Sequence, residues 1–328
     1  MNYKPPFTVS FKAINLISQI SASAERFIIR LEQADGVQLR KINRMKTIRG
    51  SLAIEGNLLT EEQVTAIIEG KHIVAPIKEI QEVKNAIKVY EQCMAFNPYD
   101  EKDLLHAHAI MMAGLLDKPG CFRRGGVCVA GKDGITHIAP PAGRVPALMA
   151  DLFEWLKVSD VHPLIKSCVF HYEFEFIHPF EDGNGRMGRL WHSRLLTDWN
   201  SVFIHLPIEN MILKNQSAYY RALENSTADN DSGVFIDFML GIIWETIEEN
   251  KQNDTVNDTQ NDTVNLILKY IKENPAISYE KLAEKTGKSR ITISRKIAEL
   301  KKEGKLKRIG ADKNGYWQIA DGASSIIY

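Results

Sequence analysis

Apolar side chains recur three and four positions apart over most of the first 250 residues, the period of an α-helix with one buried face. From about Ser10 to Gln92 the pattern is carried by Phe27, Ile28 and Leu31, and later by Val64, Ile67 and Ile68. Thr60-Glu61-Glu62-Gln63 has the form of a capping box opening one of these helices, a hydroxyl followed three residues on by an amide. Lys102–Leu115, Val145–Leu156 and Leu164–Ile177 repeat the helical pattern, which returns after a polar loop and runs to about Ile247. One segment breaks it. Between Gly120 and Pro146 glycine and proline crowd in, and the β-prone runs Val127-Cys128-Val129 and Thr136-His137-Ile138 flank the turn residues Gly131-Lys132-Asp133-Gly134. Those signals predict a hairpin set among helices.

Asn253–Asn265 holds three copies of Asn-Asp-Thr at a period of four, residue types that favour caps and turns over helix interiors. A solvated linker is expected there. Beyond it, Leu266, Ile267 and Tyr270 begin a helix; Ser278 opens a second that breaks at Gly287; and Ser289 opens a third with Ile293, Ile297 and Leu300 as its apolar stripe. Two short strands, Leu306–Ile309 and Tyr316–Ile319, follow across a glycine-bounded turn.

With 328 residues, two or three domains are expected. The content of 44% hydrophobic and 25% charged residues is that of an ordinary soluble chain. Charge adds an asymmetry. The 41 basic and 41 acidic residues cancel over the whole chain, yet from Asp262 onward Lys and Arg outnumber Asp and Glu 14 to 8. A basic tail on an acidic body implies different partners for the two parts. Cys93, Cys121, Cys128 and Cys168 form no CxxC pair, and no apolar run reaches bilayer length or makes a signal peptide. The chain is therefore expected to be cytoplasmic, with no membrane partner.

The chemistry concentrates in His178-Pro179-Phe180-Glu181-Asp182-Gly183-Asn184-Gly185-Arg186-Met187-Gly188-Arg189. A histidine titrates near neutrality and serves as a base. Asp182 offers a hard carboxylate of the kind Mg²⁺ takes one or two of, beside phosphate oxygens. Gly183-Asn184-Gly185 lets backbone N–H groups turn toward a ligand, and a helix starting near Gly185 would aim its positive end at the same place. Arg186 and Arg189, three apart, share a helical face, and the guanidinium fork suits phosphate. Together these groups describe displacement at a phosphate.

This segment matches HxFx(D/E)GNGRxxR at every fixed position and resembles the signature of the Fic (filamentation induced by cAMP) family, a resemblance that extends over roughly Ser51 to Leu223. It implies a mainly α fold, an all-helical Fic core with a β-hairpin flap. It implies an adenylyltransferase that moves AMP from ATP to a Ser, Thr or Tyr hydroxyl of a target protein or of itself. His178 resembles the base, Asp182 the Mg²⁺ ligand, and Gly183, Asn184 and Gly185 the anion hole. Arg186 and Arg189 look like the phosphate arginines, and Phe180 the aromatic holding the loop in the core. Ser51-Leu52-Ala53-Ile54-Glu55-Gly56-Asn57 matches the (S/T)xxxE(G/N) inhibitory motif, which implies that Glu55 takes Arg189 from the γ phosphate, with Ser51 one turn earlier. The Gly125–Pro141 hairpin resembles the flap that pairs with target as an added strand, with Val127, Cys128 and Val129 as its pairing residues. Tyr219 and Tyr220 resemble the aromatics near the nucleotide, and at helical spacing they fit a core equally well. His106 and His108, or His171 before His178, lack the cysteines or carboxylates that would complete a zinc site.

The C-terminal pattern is similar to winged helix-turn-helix domains, whose third helix enters the DNA major groove. Arg290, Arg295, Lys296, Lys301 and Lys302 on that helix are the candidates for phosphate contacts. The expected organisation is a helical region with the inhibitory motif over residues 1–95, the catalytic core over 96–250, a linker over 251–263, and the winged domain over 264–328. Two other functions share these residues: removal of AMP or transfer of another phosphate-containing group, and a DNA-binding regulator that uses the site as a nucleotide sensor. Related proteins imply a homodimer.

Overall fold

A computed structural model describes residues 3–31, 36–131, 134–310 and 315–319, with backbone alone for 26–31, 36–39, 128–131, 134–137, 251–262 and 265. Phe27, Ile28 and Leu31 are among these backbone-only positions. The chain forms two compact units, Met1–Glu248 and Glu249–Tyr328.

In the first unit, helices α1 (Phe11–Leu31), α2 (Gly36–Ile54), α3 (Glu61–Ile68), α4 (Ile77–Gln92) and α5 (Glu101–Met111) lead to the hairpin β1 (Cys128–Gly131) and β2 (Gly134–Ile138). Then come α6 (Val145–Val158), α7 (Pro163–Ile177), α8 (Asn184–Trp199), α9 (Ile208–Lys214), α10 (Gln216–Asp229) and the start of α11 (Gly233–Glu273), whose later residues belong to the second unit. The capping box at Thr60 is formed in both directions: its hydroxyl accepts from Gln63 N–H, and the Gln63 side chain accepts from Thr60 N–H.

Helix α7 is apolar nearly all round, and Leu164, Ile165, Cys168, Val169, Phe170, Phe174 and Ile177 are all buried. A helix with no polar face belongs at a centre, and α6 and α8 pack against it. The core is continuous across residue 95: Ile48, Leu52 and Val83 join the same cluster as Phe170, Leu190 and Trp191. Thus the expected helical region 1–95 and the catalytic helices share one core. Helix α2 lies close on α9, where a Cβ at Gly50 would stand 2.7 Å from the Asn210 backbone nitrogen.

The Asn-Asp-Thr repeat differs from the expected solvated linker, since α11 runs through it. Asn, Asp and Thr each cost a helix only about 0.5–0.7 kcal/mol relative to alanine. Extending a formed helix avoids the nucleation cost of starting another. Buried apolar residues flank the repeat on both sides, Phe235, Ile236, Met239, Leu240, Ile243 and Ile247 before it and Ile267, Leu268 and Ile271 after it.

The second unit adds α12 (Tyr279–Thr286), α13 (Arg290–Lys302) and the antiparallel strands β3 (Leu306–Ile309) and β4 (Tyr316–Ile319), with Leu306 opposite Ile319. Ser278 and Ser289 cap their helices through side-chain oxygens, and Gly287 ends α12 in the left-handed region. Ile267, Ile271, Leu282, Ile293, Ile297, Leu300 and Trp317 make its own core. Among the described residues no helix is long and apolar enough to cross a membrane.

Candidate active site

The site lies where α7 ends and α8 begins. His178 closes α7 with φ 51° and ψ 61°, a left-handed conformation that costs a non-glycine residue about 1–2 kcal/mol. Its N–H donates to Phe174 O at 2.9 Å, and Nδ1 lies 3.3 Å from Glu175 O. A carbonyl only accepts, so Nδ1 carries the proton in this contact, and in the neutral ring Nε2 holds the lone pair.

The loop after His178 is held by three devices. Asn184 reaches back to Phe180 twice, Oδ1 accepting from the Phe180 N–H at 2.8 Å and Nδ2 donating to the Phe180 carbonyl at 2.9 Å. Phe180 is fully buried and stacks on His108, ring centroids 3.7 Å apart. Burial pushes the His108 pKa down to about 4, so the ring is neutral at pH 7. Its Nδ1 accepts from Gly120 N–H at 2.8 Å, which leaves the proton on Nε2 to donate to Asp182 O at 3.0 Å.

Gly183 stands at φ 86°, where a Cβ would meet Met112 Sδ at 2.7 Å. That conformation turns the chain into α8, which starts at Asn184, one residue before the expected position. Free N–H groups and the positive helix end are therefore at Gly185. The Asp182 side chain is 50% exposed, and its Oδ1 accepts from Gly183 N–H at 2.6 Å and from Arg186 Nη2 at 3.1 Å. Arg186 Nη1 also lies 3.6 Å from Glu82 Oε1 on α4, while its buried Nε has no acceptor.

Arg189 is 1% exposed, and Glu55, just past α2, is 33% exposed. Their Nη2 and Oε1 atoms are 2.8 Å apart. Arg189 also donates to the Ser51 carbonyl at 2.9 Å and to Ser51 Oγ at 3.3 Å. Burial opposes the Arg189 charge, and Glu55, with Tyr219 and Glu175, more than offsets it, leaving the pKa above its ordinary value. The same Glu55 oxygen lies against Gly185, so a carboxylate sits at the start of α8.

Residues 98–196 match the Fic/DOC family, and residues 260–307 match the winged helix-turn-helix DNA-binding family. A Fic family protein from Desulfovibrio desulfuricans G20, known as a crystal structure, is 38% identical. The match covers 97% of this chain and 98% of that one, with a TM-score of 0.74.

The chain belongs to the Fic family.

Among curated relatives, the protein adenylyltransferase Fic of Drosophila erecta is 31% identical over 209 residues, covering 60% of this chain and 40% of the relative. The protein of the same name from Culex quinquefasciatus is 35% identical over 158 residues, covering 44% of this chain and 30% of the relative. The chain thus spans less than half the length of these curated relatives.

Around the Fic signature, the structure parts the two tyrosines. Tyr220 is exposed, whereas Tyr219 is buried among Phe235, Phe238 and His171, its Oη 3.1 Å from His171 Nε2. Neighbours in a helix point about 100° apart, and Tyr219 takes the core place that its helical spacing also allowed, while still acting on Arg189 through space. In the flap, Cys128 and Val129 pair with Ile138 and His137, with a bulge after Val129; the side chains of Cys128 and Val129 lie outside the described residues. Val127 precedes β1, its carbonyl accepting from Ala139 N–H at 3.3 Å.

His108, Arg123 and Glu175 carry parts of the site that sequence reasoning did not assign. Spacing could have found Glu175, which stands three residues before His178 and is therefore on a neighbouring helical position. No local signal marks Arg123 or His108, since the signature-loop residues they hold, His178 and Asp182, lie more than 50 positions away. On α13, Lys296 is mostly buried and pairs with Glu299 at 2.6 Å, while Arg290 pairs with Glu280 at 2.9 Å. Lys296 therefore leaves the set of candidate phosphate contacts: it follows Ile293 by three and precedes Leu300 by four, on the buried stripe.

Proposed function

We propose that this chain is a protein adenylyltransferase that transfers AMP from ATP to a Ser, Thr or Tyr hydroxyl of a target protein or of itself, and that Glu55 restrains it. The observation that carries this reading is the Glu55 carboxylate at Gly185 and Arg189, where an anion already meets the helix end and a buried guanidinium. A phosphate makes the same contacts with more charge. Arg186 Nε, buried without an acceptor, is a further donor for phosphate oxygen.

His178 Nε2 takes the proton of the incoming hydroxyl as its oxygen bonds to the α phosphorus and the bond to the bridging oxygen of pyrophosphate breaks. A placed base of this kind is worth about 10²–10⁴ in rate. Arg186, Arg189 and the N–H groups at the start of α8 hold the charge that builds on the phosphate oxygens. Asp182 fits Mg²⁺: it is a half-exposed carboxylate, and no cluster of three or more His, Cys, Asp or Glu among the described residues forms an all-protein cage. Bound there with ATP, Mg²⁺ neutralises phosphate charge. Glu55 and the γ phosphate compete for Arg189, so the resting protein is slow. The winged unit is proposed to bind DNA.

Incubation with ATP labelled at the α phosphate tests this. Wild-type protein is expected to label weakly, Glu55→Gly at least tenfold faster, and His178→Ala in that background not at all while still binding ATP. Equal labelling by the wild type and Glu55→Gly would remove the inhibitory role, and labelling by His178→Ala would remove the base.

A further inference from the structure

Arg123 is buried in the first unit without a carboxylate partner among the described residues; burial alone acts on its charge. Its guanidinium is spent on peptide carbonyls instead. Nε donates to His178 O at 2.7 Å, Nη1 to Gly125 O at 2.8 Å, and Nη2 to both Pro140 O at 2.5 Å and Ile177 O at 3.3 Å. Its own N–H donates to Pro179 O at 2.9 Å.

These acceptors fall into two groups. Gly125 and Pro140 are the two roots of the hairpin, outside the rung that Ala139 N–H makes to Val127 O. Ile177, His178 and Pro179 form the bend from α7 into the signature loop. One planar fork therefore holds both strands of the flap and the bend that carries His178. A neighbouring contact fastens the same stretch: Phe122 lies on Phe180, ring centroids 5.8 Å apart.

A buried charge facing only dipoles is costly to keep, and an apolar side chain would fill the space with less desolvation. What an apolar residue could not supply is directed donors. Arginine's five N–H groups in a fixed fork reach separate carbonyls, whereas a lysine ammonium is a point with three donors. The left-handed backbone of His178 needs such a hold, because its strain is released as soon as its carbonyl is free to turn.

We propose that Arg123 is a positioning residue that fixes the flap and the His178 imidazole in one frame, so that a hydroxyl presented by the flap meets Nε2. The activity part of this proposal rests on the adenylyl-transfer reading; the structural part does not. The Arg123 guanidinium is buried and donates to peptide carbonyls of its own chain. Its loss is therefore expected to spare ATP affinity and to lower transfer.

The test compares Arg123→Lys and Arg123→Gln, each in the Glu55→Gly full-length chain, with that parent. Two measurements are made: single-turnover self-labelling with α-labelled ATP alongside ATP affinity, and amide hydrogen exchange of the Val127 and Ala139 region. Both variants should bind ATP within threefold of the parent, label at least 30-fold more slowly, and lose protection at the flap roots while α8 keeps its own. Lysine should not rescue. Labelling within threefold of the parent, or unchanged exchange at the flap roots, would overturn the proposal. Equal losses in ATP affinity and transfer, with protection lost throughout α7 and α8, would also overturn it, by showing a merely structural arginine. If the parent itself takes no label, the adenylyl-transfer reading fails, and exchange at the flap roots alone decides for or against Arg123.

Discussion

Two carboxylates bear on Arg189: Glu55 pairs with it directly, and Glu175 on α7 acts on it through space. Glu175 has an Oε1 with no hydrogen-bond partner, 3.7 Å from His171 Nε2, and its side chain is 12% exposed. Burial pushes its pKa up to about 7, against the pull of His178 and Arg189 and with help from the Glu55 charge. His171 offers no compensating charge, because burial and then Arg189 push its pKa down to about 3. Tyr219, the remaining neighbour, is a buried phenol whose pKa is raised. The folded chain thus holds the Glu175 proton to higher pH than an unfolded glutamate does. Stability from this group is fully present below about pH 4.5 and is lost as pH rises through about 7. At about 1.4 kcal/mol per tenfold, a rise from 4.5 to about 7 makes the loss on the order of 3 kcal/mol by pH 8. Glu175→Gln should accordingly match wild type near pH 4.5 and exceed it at pH 8, read by urea denaturation at both values. An equal difference at the two pH values would refute this. Among single residues, His178, Asp182, Arg186 and Arg189 were legible because their chemistry sits in one short segment. The spacing puts Glu175 beside His178, but its raised pKa needed the fold, since it depends on what covers the carboxyl.

Helix α2 ends one residue before Glu55 and carries Ser51, so its placement decides whether both reach Arg189. That placement rests on Gly50, where a Cβ would meet the Asn210 nitrogen at 2.7 Å and the Glu209 carbonyl carbon at 2.8 Å. Backbone on the far side cannot swing away as a side chain does. Alanine favours a helix interior over glycine by about 1 kcal/mol, yet overpacking costs about 1–3 kcal/mol, and here the clash is with main chain. Gly50→Ala is therefore expected to lower stability by about 1–2 kcal/mol and, by moving α2 off α9, to raise self-labelling several-fold. Thermal melts read the first effect and α-labelled ATP the second; a stabilised variant with unchanged labelling would show that α2 is not held there. Element by element, the periodicity located the helices of the first unit and the hairpin. It missed the passage of α11 through the Asn-Asp-Thr repeat, because local propensity is weak beside the apolar faces on either side.

At the scale of the whole molecule, the basic excess after Asp262 belongs to a unit with its own core. Its charge is less available than composition implies, since on α13 Arg290, Arg295 and Lys296 all have glutamate partners. Lys301 and Lys302 remain exposed in its last turn. Duplex DNA binding should weaken steeply with salt, and Lys301→Ala/Lys302→Ala should flatten the log–log slope by about 2, as expected for two phosphate contacts. Fluorescence anisotropy across a salt series measures this, and an unchanged slope would exclude that pair from the interface. The winged pattern was readable from caps, stripe and strands; which cations are already paired was not, because i,i+3 and cross-helix partners appear only once the helices are packed.

Every group that Arg123 holds is a peptide carbonyl, and a peptide carbonyl is present whatever side chain its residue carries. The hairpin is thereby fastened at its base without drawing on the identity of the residues along it. Substitutions in the strands can then accumulate under selection for a new partner while the root stays put. If the flap and Arg123 act as proposed, specificity and catalytic alignment can evolve separately, with one arginine between them.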